Sequence, residues 1–127
     1  MIAKKAPPTV FVVDDDESVR ESLPDLLREL GYTARAFSSA EEFLASQALD
    51  ESKCLILDVA MPRMSGPALQ LELKRRGKAF PIIFITANRN ETVRSQVLAE
   101  GAAECLYKPF SDTALLTAIH SALEKRA

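Results

Sequence analysis

Five short apolar runs, each separated from the next by a helix-sized segment, set the limits on what this chain can become. They occupy residues 9–13, 32–37, 53–57, 82–86 and 103–107. Such alternation predicts repeated strand–helix–strand units around a parallel sheet. The first, third and fourth runs, typified by Val10-Phe11-Val12-Val13 and Ile82-Ile83-Phe84-Ile85, are almost continuously apolar, as strands covered on both faces must be. The second, Tyr32-Thr33-Ala34-Arg35-Ala36-Phe37, mixes in polar residues and suits an edge. A length of 127 residues accommodates one domain. The expectation is therefore an α/β, three-layer domain of five strands and five helices.

The segments between the runs carry helix start and stop signals. Ser39-Ala40-Glu41-Glu42 matches a capping box, Ser65 and Ser111 are placed to cap two further helices, and Gly31, Gly77 and Gly101 follow helix ends. Val19, Leu23, Leu26, Leu27 and Leu30 form one apolar stripe, and Leu115, Leu116, Ile119 and Leu123 another, at the spacing that lays one helix face on a sheet. Pro24 conflicts with the first helix. It removes a hydrogen bond and crowds the preceding turn at a cost of about 3 kcal/mol, which predicts a kink near Arg20. Residues 1–8 read as a flexible lead without the apolar stretch of a secretory signal, and residues 9–125 as the folded domain. The chain stops at Lys125-Arg126-Ala127, directly after the last helix, so no attached output domain is expected.

Charge appears where the strands should end. Asp14-Asp15-Asp16 follows the first run, Asp58 closes Cys54-Leu55-Ile56-Leu57, and Lys108 follows Leu106-Tyr107. In a parallel sheet those ends share one edge, where open α/β sheets build their sites. Carboxylates held within roughly 4 Å repel by several kcal/mol at an effective dielectric near 20, so they require a cation or protons. Oxygen-only ligands with retained waters fit magnesium, and Lys108 supplies a point charge without competing for the metal. Helix capping is the competing explanation for Asp14-Asp15-Asp16 alone. Asp58 tips the balance, because a carboxylate at the end of an apolar strand is costly without a purpose. The set suggests a metal-dependent phosphoryl acceptor with Asp58 as nucleophile. The three oxygens of the resulting acyl phosphate need donors: Lys108, the metal and the hydroxyl of Thr86. For Thr86, β-propensity is the competing explanation.

Other classes find less support. A net charge of -2 leaves no basic footprint for nucleic acid. The one basic cluster, Lys74-Arg75-Arg76-Gly77-Lys78, falls at a helix end, where cations meet the negative pole of the dipole. No apolar run approaches a membrane span, and a cytoplasmic location is expected. Cys54 and Cys105 read as small buried thiols without a disulfide framework. His120 is expected to face solvent and receives no role. The four glycines form no phosphate-cradling loop for a flavin or a dinucleotide.

Val12-Val13-Asp14-Asp15-Asp16-Glu17-Ser18-Val19-Arg20, Leu57-Asp58-Val59-Ala60-Met61-Pro62-Arg63-Met64-Ser65-Gly66, Ile85-Thr86-Ala87 and Tyr107-Lys108-Pro109-Phe110 together strongly resemble the receiver domain of two-component response regulators, across essentially the whole chain. The resemblance implies a flavodoxin-like (βα)5 fold, with a central parallel sheet in the order 2-1-3-4-5 and helices on both faces. It implies that Asp58 is the phosphoacceptor for a sensor histidine kinase. Asp15 would bind Mg2+ directly and Asp14 mainly through water, with Asp58 and the Ala60 main-chain carbonyl completing the protein ligands. Thr86, the Ala87 main-chain N–H and Lys108 would hold the phosphoryl group, and the Lys108-Pro109 bond would be cis.

The resemblance further implies an output domain or downstream protein as partner, and no enzymatic activity beyond the chain's own phosphoryl transfer and autodephosphorylation. A phosphorylation-dependent homodimer through the fourth helix, fifth strand and fifth helix would draw on Arg89 and Arg94. The domain itself would contact neither nucleic acid nor membrane. The stretch Phe37-Ser38-Ser39-Ala40-Glu41-Glu42-Phe43-Leu44 weakly resembles receivers joined to helix-turn-helix outputs. The alternative is a receiver-like interaction module that works without phosphorylation. A haloacid-dehalogenase-type phosphatase fails, because the position of its second acid holds Ala60.

One departure from the family pattern stands out. Three residues before the lysine such domains carry an aromatic switch residue, and here that place holds Cys105. Tyr107 lies on the same sheet face but further along the strand, so it is not a simple substitute. Switching through Thr86 is therefore expected to pass by backbone movement of Ala87-Asn88-Arg89-Asn90 and the following helix. Ala60 and Asn88 occupy positions where the family varies the lifetime of the acyl phosphate. A small Ala60 side chain leaves water access, so dephosphorylation is expected to be slow but faster than days.

Overall fold

The computed structural model describes residues 8–51 and 54–124, of residues 50 and 51 the backbone alone. Residues 1–7, residue 53 and residue 125 of the expected lead, third strand and domain end lie outside the described residues. Five parallel strands form one sheet: β1 (Thr9–Val13), β2 (Thr33–Phe37), β3 (Cys54–Asp58), β4 (Ile82–Thr86) and β5 (Glu104–Tyr107), in the order β2-β1-β3-β4-β5. This is the flavodoxin-like arrangement. β2 is an edge, with Thr33 and Arg35 exposed, whereas every residue of β3 and β4 is buried. Asp58 pairs with Ile85 as the last residue of β3, so the sheet itself fixes its backbone.

Alternate residues of each strand feed two cores. Val10, Val12, Cys54, Ile56, Ile83 and Ile85 meet Leu23 and Leu27 of α1 (Glu17–Glu29) and Leu115 and Ile119 of α6 (Asp112–Glu124). Phe11, Val13, Leu55, Leu57 and Phe84 meet α2 (Ala40–Ala45), α4 (Gly66–Arg75) and α5 (Glu91–Ala99) on the other face. Cys54 and Cys105 are buried reduced thiols in opposite cores.

The connection between β2 and β3 is helical but broken. Ser46 adopts extended geometry, its hydroxyl donates to the Phe43 carbonyl and accepts from the Ala48 N–H, and the one-turn α3 (Ala48–Glu51) follows. Capping follows the sequence signals with one adjustment. Ser39 accepts from the Glu42 N–H, but the Glu42 carboxylate returns to the N–H of Ser38 rather than of Ser39. Three helices end in the same hydrogen-bonded motif, with Gly31, Gly77 and Gly101 at positive φ and the next residue's N–H bonded back to Leu27, Leu73 and Val97. α1 continues past the buried Pro24 to Glu29.

Candidate functional site

The C-terminal ends of β1, β3, β4 and β5 meet at one edge, and each delivers a polar side chain there. Asp14, immediately after β1, is fully buried and tied down on every side. Its N–H donates to the Phe37 carbonyl and its carbonyl accepts from Arg20 Nη1 at 3.0 Å. Its Oδ1 accepts from the Asp16 N–H at 2.9 Å and its Oδ2 from Lys108 Nζ at 3.1 Å. Asp15 is exposed at the rim. Asp58 is buried at the end of β3, with Lys108 Nζ 3.9 Å from its Oδ1. Carboxylate oxygens of Asp14, Asp15 and Asp58 all lie within 4.8 Å of one another.

Asp16 does something else. Its carboxylate caps α1 through the Ser18 N–H and hydroxyl, which hold its proton affinity below the usual range. The run Asp14-Asp15-Asp16 therefore divides, with two acids in the pocket and one at the helix start.

Three negative groups against one ammonium leave charge uncompensated, and the strain registers at Asp58. Burial first, and then the charge of Asp14, push its carboxyl up to about 7, with Lys108 working in the opposite direction. The Lys108-Pro109 peptide is cis, and the Lys108 N–H donates to the Thr86 carbonyl at 2.8 Å. Thr86 is buried, and its hydroxyl is engaged with Asn88 of its own loop. Ala87 is exposed directly after it, and Ala60 is exposed two residues beyond Asp58. Ala60, Thr86 and Cys105 line a common cavity of about 50 Å³. Cys105 is buried, and burial pushes its thiol up, away from reactivity. His120 lies exposed on α6, remote in sequence and element from this edge.

Gly66, the last residue of the motif that begins at Leu57, shapes the site through its missing side chain. A Cβ at this first residue of α4 would overlap the Asp58 carbonyl oxygen and come within 3.0 Å of Phe84 Cε1. Glycine lets the helix close onto the strand end that carries Asp58, and the Gly66 N–H bonds to the Val59 carbonyl at 3.0 Å. The only available hint was a glycine at a helix N-terminus just after a serine cap. Between them the chain turns through Arg63 at φ 65°, a left-handed conformation that costs a non-glycine residue about 1–2 kcal/mol. Gly66→Ala is expected to destabilise the fold by about 2 kcal/mol, because the obstructing atom belongs to a buried strand backbone and cannot swing aside. Urea unfolding of the two proteins checks it.

The model of the response regulator receiver domain family matches residues 10–120. The chain belongs to that family. Nodulation protein W of Bradyrhizobium diazoefficiens is 44% identical over 116 residues, covering 91% of this chain and 51% of that protein. Response regulator protein TodT of Pseudomonas putida is 40% identical over 115 residues, with the same two shares of 91% and 51%. This receiver thus spans about half the length of the curated relatives it matches. Among solved structures, response regulator StyR is 45% identical with a TM-score of 0.86, covering 94% of this chain and 61% of that one. FixJ-N is 35% identical with a TM-score of 0.84, covering 92% of this chain and 94% of that one. Among the described residues, no helix of the receiver is long and apolar enough to cross a membrane.

Proposed function

We propose that this receiver accepts a phosphoryl group on Asp58 from the phosphohistidine of a sensor histidine kinase, with Mg2+ required, and passes the change to an output domain or a separate protein. The convergence of Asp14, Asp15, Asp58 and Lys108 at one sheet edge carries the reading. The donor set suits a hard divalent ion, because it is entirely carboxylate oxygen and its negative charge exceeds what one ammonium offsets. Asp14, Asp15, Asp58 and the Ala60 main-chain carbonyl would hold Mg2+, which when bound cancels charge on the carboxylates and on the incoming phosphoryl oxygens.

Asp58 supplies the attacking lone pair. One Oδ forms the O–P bond as the P–N bond of the donor breaks, and that bonding pair returns to the imidazole nitrogen. Lys108 Nζ, the Thr86 hydroxyl and the Ala87 N–H receive the phosphoryl oxygens, each a charged or oriented donor at a strand end. Water later attacks the acyl phosphate, and the exposed Ala60 leaves that approach open. The chain catalyses these steps on itself and turns over no other substrate.

TdiR of Thauera aromatica and FixJ of Azorhizobium caulinodans are named transcriptional regulatory proteins. Their likeness supports a role for residues 9–125 as the receiver of a transcription regulator. A cytoplasmic location, without nucleic-acid or membrane contacts of its own, belongs to the same proposal. Phosphorylation would pair two copies through α5, β5 and α6, with Arg89 and Arg94 at the contact. Incubation with acetyl phosphate and Mg2+ is expected to add the mass of one phosphoryl group to the intact chain, and EDTA to prevent it. An unchanged mass with Mg2+ present would return the chain to the phosphorylation-independent interaction module.

A further inference from the structure

Thr86 belongs to a hydrogen-bonded unit that reaches into the next helix. Its hydroxyl accepts from the Asn88 N–H at 3.1 Å and donates to the Asn88 carbonyl at 3.4 Å. That carbonyl also accepts from the N–H of Asn90 at 2.9 Å, and the Asn90 side chain caps α5 through the N–H groups of Thr92 and Val93. Behind the unit lies the 50 Å³ cavity bordered by Thr86, Asn88, Val93, Arg94 and Cys105. At that size it admits a water-sized guest and no ring, and Cys105 stands at its border where a bulkier side chain would fill it.

The brace is on the outside. Tyr107 stands in register with Thr86 across β4 and β5. Its hydroxyl donates to Glu91 Oε1 at 2.7 Å, and the Arg89 guanidinium sits 4.9 Å above its ring. Arg89 and Glu91 flank Asn90, so one side chain of β5 grips the cap of α5 from both sides. The Glu91 contact also raises the Tyr107 phenol above its ordinary proton affinity.

We propose that Tyr107 is a positioning residue: through Glu91 and Arg89 it clasps the loop that keeps the Thr86 hydroxyl in its turn with Asn88, and phosphoryl uptake requires that clasp to open. The inference rests on Asp58 being the phosphoacceptor. For the Thr86 hydroxyl to donate to a phosphoryl oxygen, its bond to the Asn88 carbonyl must break, which loosens Asn88, Asn90 and the start of α5 together. The clasp is worth most when that unit is closed, so weakening it raises the fraction of molecules competent for uptake.

The test labels the chain with 3-fluorotyrosine in a Tyr32→Phe background, which leaves Tyr107 as the single fluorine probe, and records initial rates with acetyl phosphate and Mg2+ by intact mass. Phosphorylation is expected to move the Tyr107 signal. Tyr107→Phe, which retains the ring under Arg89, and Glu91→Gln are expected to speed uptake roughly 3–10-fold, the weight of one hydrogen bond at a solvent-exposed site. A phosphorylated chain whose Tyr107 signal stays in place, or variants whose rates equal or fall below the parent's, overturn the clasp and leave the phosphoacceptor reading standing. Absence of any adduct in the parent protein removes both.

Discussion

Asp58→Asn is expected to lower phosphoryl uptake from a small acyl phosphate by roughly 10³-fold or more, to below detection by intact mass. The three acids of the pocket are not equivalent. Asp14 commits both carboxylate oxygens, one to the Asp16 N–H and one to Lys108, and is fully buried. Asp15 is exposed on the loop that follows β1. Asp58 alone is carried by a strand in the middle of the sheet, paired with Ile85 of β4 and with Gly66 packed against its carbonyl. A nucleophile must be held in line with its leaving group, and effective concentration is highest for the group on the most rigid support. The amide keeps the shape of the carboxylate and loses its anionic oxygen, so folding is retained while the attack is not. Adduct on the Asp58→Asn protein at the parent's rate would move the acceptor role to another acid and refute the assignment.

That division of labour explains what could be read in the residues beforehand. Strand positions were legible because burial on both faces imposes long apolar runs, and β1 and β4 begin and end where the pattern placed them. β2 and β5 each start one residue later, at Thr33 and Glu104; the Tyr32 N–H is still committed to Leu27 at the end of α1. The break at Ser46 was not legible. A serine inside a helical stretch is compatible with helix, and only its hydroxyl bonds to Phe43 and Ala48 decide otherwise. At the site, the types of residue and the strand ends they occupy pointed to the edge where Asp14, Asp58 and Lys108 meet. The contacts across elements left no trace in periodicity. Arg20 reaching the Asp14 carbonyl, and Tyr107 reaching Glu91, depend on side-chain rotamers and loop path.

Without a divalent cation, stability is expected to fall by about 2–3 kcal/mol between pH 4 and pH 8, after allowance for solvent screening at this open edge. The sign follows from Asp58. Its folded carboxyl is raised to about 7, foremost by burial and then by Asp14, whereas the unfolded chain loses that proton near its ordinary value of 3.8. Between those limits the folded state binds more protons than the unfolded one, so each rise in pH favours unfolding until the penalty is complete above pH 7. Glu72 acts with the opposite sign and elsewhere on the scale. Hydrogen bonds from Arg75 and Arg76 hold it at about 2, so its contribution is gained as pH rises toward 4.5 and is constant above that. Asp58→Asn should therefore flatten the curve between pH 4 and pH 8 and leave the acid limb unchanged. Mg2+ should act most where Asp58 is ionised: at 100 times its Kd it adds about 2.7 kcal/mol at pH 8, and far less at pH 5, where protons compete for the same carboxylate. Urea midpoints measured across this range, with Mg2+ and with EDTA, check both effects. Equal stabilisation by Mg2+ at pH 5 and pH 8, or by the same amount in the Asp58→Asn protein, would show that the ion does not bind through this carboxylate.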